Sequence, residues 1–154
     1  MLLNLGAYMT PHVAYMHTIG LETLDARYRI QSANAAMLAG KLRILSAVKR
    51  VNYVGLKDNS YYALAQRQFG PTAGAMITID LESKEACFAF INRLKLIRRA
   101  TNLFDNKTLA IHPASTIFGP FTDKQRTWMC WIRLSVSQLV WRMWMICLTM
   151  SDRL

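Results

Sequence analysis

The apolar residues of the chain first follow helical spacing. Thr10 and Pro11 predict a helix start, because a hydroxyl can cap free backbone N–H groups and proline suits the first helical position. Helical spacing then continues to about Leu45, and Gly20 is the expected break. Two later stretches also have helical spacing, Tyr61–Phe69 and the segment that begins at Ser83.

Extended segments separate these helices. Four are predicted to be strands: Val48–Val54, Gly74–Leu81, Ile97–Thr101 and Thr108–Ile111. The second is the clearest, since it is rich in β-branched and apolar residues. Thr122 followed by Gln125 predicts a capping box at the start of a further helix. The alternation of helices and strands predicts an α/β or α+β fold, a mixed sheet flanked by helices.

Length and charge narrow the class of protein. A chain of 154 residues suits one domain with a substantial core. The net charge of +10 could indicate nucleic acid or an anionic surface as partner. However, the basic residues are scattered, and no basic stripe interleaved with aromatic residues is present. We therefore interpret the charge as solvated surface and expect neither a nucleic-acid nor a membrane partner.

The cysteines and histidines do not predict a metal site. Cys87, Cys130 and Cys147 are odd in number and lack metal-ligand spacing, which favours a reducing compartment and a cytoplasmic location. His12 and His17 are five residues apart, so they do not share a helical face, and His112 stands alone. The N-terminal residues also lack the pattern of a signal peptide.

A polar group of residues follows the last predicted strand. The apolar run Thr108–Ile111 stops at His112-Pro113, and Ser115 and Thr116 come directly afterwards. One interpretation is a plain turn, because small hydroxyl residues are common there. The other is that the end of this strand borders a polar site. The residues themselves leave both open.

Six segments of the chain stand out in order: GAYMTPHVAYMHTIGLETLDARY (Gly6–Tyr28), VNYVGL (Val51–Leu56), GAMITIDL (Gly74–Leu81), LKL (Leu94–Leu96), KTLAIHPAST (Lys107–Thr116) and IRLSV (Ile132–Val136). Together they resemble the C-terminal domain of the pyridoxal-phosphate-dependent enzymes of cysteine and methionine metabolism, the transsulfuration family. The segment ATNLFDNKTLAIHPAST is most similar to the O-acetylhomoserine sulfhydrylases. The resemblance implies the α/β C-terminal domain of the aspartate-aminotransferase type of fold, a small amino-acid substrate, a sulfur nucleophile and a homo-oligomer.

The resemblance also implies a substrate site. Arg133 matches the arginine that binds the α-carboxylate, a role that suits a planar guanidinium because it can donate two parallel hydrogen bonds. Asn102, Ser115 and Thr116 match segments that border the substrate cleft, although Phe104 stands where relatives usually have glycine. The alternative for Arg133 is a solvated arginine at the end of an edge strand.

The resemblance does not include the residues that bind the cofactor in the family. Relatives bind pyridoxal phosphate through a Schiff-base lysine, an aspartate and phosphate ligands of an N-terminal domain that this chain does not carry. We therefore expect residues 1–136 to be a substrate domain that holds no catalytic or cofactor-binding residue and does not bind the cofactor alone. The favoured function is a transsulfuration enzyme fragment. A non-catalytic remnant of a decayed gene is the alternative, and a basic membrane-surface protein is a distant third.

The last segment has an unusual composition. Trp128–Met150 contains all four tryptophans of the chain. A membrane-spanning helix is the obvious alternative, but Arg133 and Arg142 interrupt the apolar sequence. Met and Trp each have a single codon, so Met143-Trp144-Met145 must be encoded by ATG TGG ATG, and the codon of Ile146 begins with AT. Read from the third base of this stretch, the same bases give GTG GAT GAT, which encodes Val-Asp-Asp. Relatives have an acidic helix here. We therefore predict that residues 137–154 are an aberrant tail translated in a shifted reading frame.

Overall fold

The computed structural model describes residues 5–6, 8–102, 105–122 and 124–125, and the backbone alone of residues 133–137. Its helices are α1 (Pro11–Glu22), α2 (Leu24–Leu42), α3 (Tyr62–Phe69) and α4 (Lys84–Arg93), with a short 3₁₀ helix at Pro113–Ser115. Its strands are β1 (Arg50–Asn52), β2 (Met76–Asp80), β3 (Leu109–Ile111) and β4 (Arg133–Ser137). The α/β class expected from the sequence is confirmed.

The two caps predicted at Thr10 and Thr122 occupy their expected positions. The N–H of Val13 donates to Oγ1 of Thr10 (3.4 Å), with proline at the start of α1. Ser83 caps α4 in the same way. Thr122 and Gln125 form the reciprocal capping box, in which each backbone N–H donates to the side chain of the other residue. Local hydrogen bonding therefore accounts for these helix starts.

The break in the N-terminal helical segment was predicted at the wrong residue. Gly20 remains helical inside α1, and α1 and α2 meet at Thr23, whose backbone departs from helical geometry. Arg27 stabilises this junction, because its side chain donates to the carbonyl of Gly20 (2.6 Å) and to Oγ1 of Thr23 (3.2 Å). A glycine lowers helix propensity by only about 1 kcal/mol, so longer-range contacts can override it.

The four strands form one sheet in the order β1-β2-β4-β3, and its described ladders are all antiparallel. Among the described residues, parallel pairing is confined to an isolated bridge between Arg98 and Leu109. The strand predicted at Ile97–Thr101 is wrong. The N–H of Ala100 bonds back to the carbonyl of Arg98 (3.1 Å), so the backbone turns there, and Arg98 forms an isolated bridge instead of a strand.

The core lies on one face of this sheet. Ile77 and Ile79 of β2 are fully buried and alternate with more exposed residues, as expected for a strand with one covered face. Helices α2 and α4 cover this face with buried side chains that include Leu38, Leu42 and Phe90. Apolar burial of this kind is the dominant stabilising contribution to such a domain.

Tyr53 and Gly55 of the VNYVGL segment are held together within this core. Tyr53 is 1% exposed, and its hydroxyl lies 3.2 Å from the carbonyl oxygen of Ser32 and 3.0 Å from that of Gly74. Burial raises the pKa of Tyr53, so the hydroxyl stays protonated and can donate. Gly55 passes so close to the ring that a Cβ there would lie 2.4 Å from Cε1 of Tyr53.

Helix α1 contrasts with the core, because none of its residues is buried. Val13, Tyr15, Met16, Ile19 and Leu21 all expose more than a third of their surface. Within the described part of the chain, no helix is both long enough and apolar enough to cross a membrane. The tail predicted at residues 137–154 falls outside the described residues, except that Ser137 is the last residue of β4.

Candidate functional site

The pairing of β3 with β4 brings two of the predicted site segments to the same end of the sheet. Ile111, the last residue of β3, pairs with Ser135, and Arg133 is the first residue of the antiparallel β4. The backbone of Arg133 therefore lies where β3 gives way to the 3₁₀ helix, and its register partner on the other side is Asp80 of β2. The side chain of Arg133 lies outside the described part of the structure.

His112 organises the turn that follows β3. Its carbonyl oxygen accepts from the N–H of Ser115 (3.1 Å) and from the hydroxyl of Thr116 (2.9 Å). Its ring nitrogen Nδ1 lies 2.8 Å from Oγ of Ser115. The two hydroxyl side chains that the sequence singled out are thus tied to one histidine, for which the sequence predicted no separate role. The available signal was a histidine between an apolar strand and a proline.

The imidazole of His112 is almost inaccessible to solvent. The residue is 3% exposed, and its ring packs at a steep angle against Phe88, with 5.3 Å between ring centroids. Burial lowers the pKa of His112, and the positive charge of nearby Lys84 lowers it further. The ring is therefore neutral around pH 7. Nε2 is buried, and none of the described residues forms a hydrogen bond with it.

Asn102 belongs to a different turn, on the amino-terminal side of β3. Its amide donates to Oδ2 of Asp105 (3.0 Å). Asp105 also accepts from the N–H of Lys107 (2.9 Å), and its carbonyl accepts from the side chain of Gln31 on α2 (3.2 Å). The hydrogen bond from Asn102 lowers the pKa of Asp105. These hydrogen bonds hold the backbone that leads into β3. Phe104 lies outside the described residues.

A polar pocket of about 360 Å³ lies elsewhere, between the end of α2 and β1. Arg43, Arg50, Asn52 and Asp58 are among its lining residues. Two guanidinium nitrogens of Arg43 contact both carboxylate oxygens of Asp58, at 3.2 and 2.7 Å, so much of the positive charge of this arginine is compensated. Among the predicted site residues whose side chains are described, Asn102, Ser115 and Thr116 do not line this pocket.

The comparisons with known proteins identify the family. The sequence model for "Cys/Met metabolism PLP-dependent enzyme" matches residues 1–137. The chain is 37% identical over 122 residues to O-acetyl-L-homoserine sulfhydrylase 1 of Thermus thermophilus, covering 79% of this chain and 29% of that protein. It is 36% identical to L-methionine gamma-lyase of Pseudomonas putida, with 79% and 30% covered.

A solved structure agrees with the sequence matches. The O-acetylhomoserine sulfhydrylase of Wolinella succinogenes matches with a TM-score of 0.82 and 38% identity, over 94% of this chain and 39% of that one. The chain therefore belongs to the pyridoxal-phosphate-dependent enzymes of cysteine and methionine metabolism, as the resemblance indicated. It spans about 30% of the length of the curated relatives that it matches.

The lysines of this chain do not fit the cofactor of the family. A lysine that forms a Schiff base with pyridoxal phosphate needs a partly desolvated site that favours the neutral amine. All seven lysines lie in the described part of the chain, and every one is exposed. Lys49 borders the polar pocket but faces Glu82 at 3.9 Å. The described residues also contain no cluster of three or more His, Cys, Asp or Glu that could hold a metal ion.

Proposed function

We propose that this chain is the substrate-binding part of a transsulfuration enzyme of the O-acetylhomoserine sulfhydrylase kind, and that Arg133 binds the α-carboxylate of the amino-acid substrate. The observation that carries this proposal is the β3–β4 register, in which the backbone of Arg133 adjoins the His112–Thr116 turn. In the parent reaction, a sulfur nucleophile would replace the γ-acetoxy group of the substrate. The cofactor would supply the electron sink when bound in the complete enzyme.

The proposed residues divide the work of substrate binding. Arg133 would attract the substrate carboxylate and fix its orientation, because a guanidinium can donate two parallel hydrogen bonds to one carboxylate. Ser115 and Thr116 would border the ligand, and Asn102 would contribute through the turn that it shares with Asp105. We also propose a cytoplasmic location and a homo-oligomeric complete enzyme. The free state of Cys87 is compatible with a reducing compartment.

Binding of L-methionine by the full chain tests this function. L-Methioninamide is the matched ligand, because it keeps the side chain and the amine but lacks the carboxylate. We expect a dissociation constant on the order of 1 mM for L-methionine, equivalent to about −4 kcal/mol, and much weaker binding of the amide. The binding should be followed through the backbone amide signals of Ser115 and Thr116.

Two arginine variants make this experiment specific. Arg133→Lys keeps the charge but loses the planar pair of donors, so we expect weaker binding of L-methionine. Arg67→Lys is the control, since Arg67 is an exposed arginine on helix α3 and not in the sheet. Equal binding by both variants, or equal affinity for the amide, would reject the carboxylate site.

A non-catalytic remnant is the second candidate, and the exposure of every lysine favours it. When the chain is mixed with pyridoxal phosphate, we expect no stoichiometric adduct that borohydride can trap at a single lysine. Such an adduct would instead indicate an autonomous enzyme. Loss of carboxylate selectivity in the methionine experiment would favour the remnant over a substrate-binding fragment.

We further propose that residues 1–136 form the substrate domain and that residues 137–154 are translated in a shifted frame. The single codons of Met143, Trp144 and Met145, together with the first two bases of the Ile146 codon, support this proposal, because the alternative frame there is constrained to Val-Asp-Asp. Sequencing the genomic DNA of this region is the test. A frame that reads continuously into an acidic amphipathic helix would support the shift, whereas no acidic helix in any frame would rule it out.

A further inference from the structure

The hydroxyl groups of Ser115 and Thr116 differ in what their protons can do. Thr116 donates its proton to the carbonyl oxygen of His112 at 2.9 Å, so that proton is already used inside the turn. Oγ of Ser115 lies 2.8 Å from Nδ1 of His112, and either atom could supply the proton between them. The residue is exposed, so its hydroxyl can also reach a ligand. The tautomer of His112 therefore decides whether Ser115 is a free donor.

The surroundings of the ring favour one tautomer. A neutral imidazole has one N–H and one nitrogen lone pair. If Ser115 donated to Nδ1, the proton of the ring would be on the buried Nε2, which has no hydrogen-bond partner within the described part of the chain. A buried donor without an acceptor costs about 1–3 kcal/mol, and such orphaned N–H groups are rarer in proteins than acceptors that lack a donor. The ring proton is therefore better placed on Nδ1.

We propose that Nδ1–H of His112 donates to Oγ of Ser115, and that Ser115 thereby directs its own hydroxyl proton to the α-carboxylate of the substrate. This inference rests on the proposed function, since it adds a second donor to the carboxylate site of Arg133. Ser115 is then a binding residue, and buried His112 is a positioning residue that acts through it. The 3₁₀ helix that carries Ser115 adjoins β4, which begins with Arg133.

The tautomer can be read directly in the unliganded chain. In the full chain labelled with ¹⁵N-histidine, nitrogen NMR separates protonated from unprotonated ring nitrogens. The His112 signals are identified by their loss in His112→Asn. We expect Nδ1 to be protonated and Nε2 to be unprotonated at neutral pH. A ring protonated at Nε2 alone would overturn the inference, whatever the chain binds.

The donor role of Ser115 is tested by the methionine titration. A hydrogen bond to a charged group contributes about 1.5–3 kcal/mol, so Ser115→Ala should weaken binding by about tenfold or more. Ser46→Ala is the control, because Ser46 is another exposed serine but lies between α2 and β1, and this variant should bind nearly as the parent chain does. If Arg133→Lys weakens binding but Ser115→Ala does not, this inference is wrong and the proposed function stands. If Arg133→Lys has no effect, the proposed function itself fails.

The positioning role of His112 has its own pair of variants. His112→Asn keeps an N–H donor close to the position of Nδ1, so we expect binding close to that of the parent chain. His112→Phe keeps a flat ring without a donor, and we expect it to weaken binding as Ser115→Ala does. A purely structural histidine would give the reverse order, because phenylalanine fills the buried space better. If His112→Phe fails to fold, the methionine titration of Ser115→Ala still decides the inference, because Ser115 is an exposed residue.

Discussion

Replacement of Gly55 by alanine should destabilise the domain through the ring of Tyr53. The new Cβ would lie 2.4 Å from Cε1, 2.9 Å from Cζ and 3.0 Å from Cβ of Ala73. Favourable carbon–carbon contacts are about 3.5–4.0 Å, so the ring must move by about 1 Å. Because Tyr53 is 1% exposed, that movement takes place inside a packed core.

Two costs add in the Gly55→Ala variant. Forcing an extra carbon into a packed region costs about 1–3 kcal/mol. Movement of the ring also takes the Tyr53 hydroxyl away from the carbonyl oxygens of Ser32 and Gly74, and unsatisfied buried groups cost about 1–3 kcal/mol. The sum, about 2–6 kcal/mol, is a large part of the 5–15 kcal/mol that stabilises a typical domain.

Urea denaturation followed by circular dichroism measures this loss, and Gly40→Ala is the matched control. A Cβ at Gly40 would meet nothing within 4 Å, and Gly40 lies inside α2, so alanine there should stabilise the chain by up to about 1 kcal/mol. Gly55→Ala should cost less in a Tyr53→Phe background, because no hydroxyl is left to displace. Equal unfolding free energies for the two alanine variants would refute the reasoning.

Two further stability predictions follow from burial. Ile77→Ala should lower the free energy of unfolding by about 2–5 kcal/mol in urea denaturation, whereas Ile19→Ala on exposed α1 should lower it by less than about 1 kcal/mol; similar losses would mean that α1 is packed in solution. Because burial and Lys84 lower the pKa of His112, the unfolded chain binds more protons below about pH 6.5. The contribution of His112 to the free energy of unfolding should therefore be fully present above that pH. It should decrease as the pH drops, by at most about 1.4 kcal/mol per pH unit for this one group. If the free energy of unfolding of His112→Phe depends on pH as steeply as that of the parent chain, His112 is not the cause.

Much of the local structure could be predicted from the sequence, because it depends on neighbouring residues. Capping by Thr10, Ser83 and Thr122 needs only atoms a few residues away. The alternating pattern of Met76–Asp80 likewise specifies a strand with one buried face. The family, too, was indicated by short segments of the sequence. VNYVGL is one of them, and within it Tyr53 and Gly55 pack closely against each other.

Other features depended on contacts between distant segments, and only the tertiary structure decided them. Extended spacing at Ile97–Thr101 suggested a strand, but no local signal reveals that Ala100 turns back onto Arg98. The sequence places Arg133 and Ser115 eighteen residues apart, and the antiparallel register of β3 and β4 brings their backbones to one end of the sheet. His112 became central for the same reason, because a histidine acquires its burial, its neutral charge and its fixed hydrogen bond only when the surrounding elements pack around it.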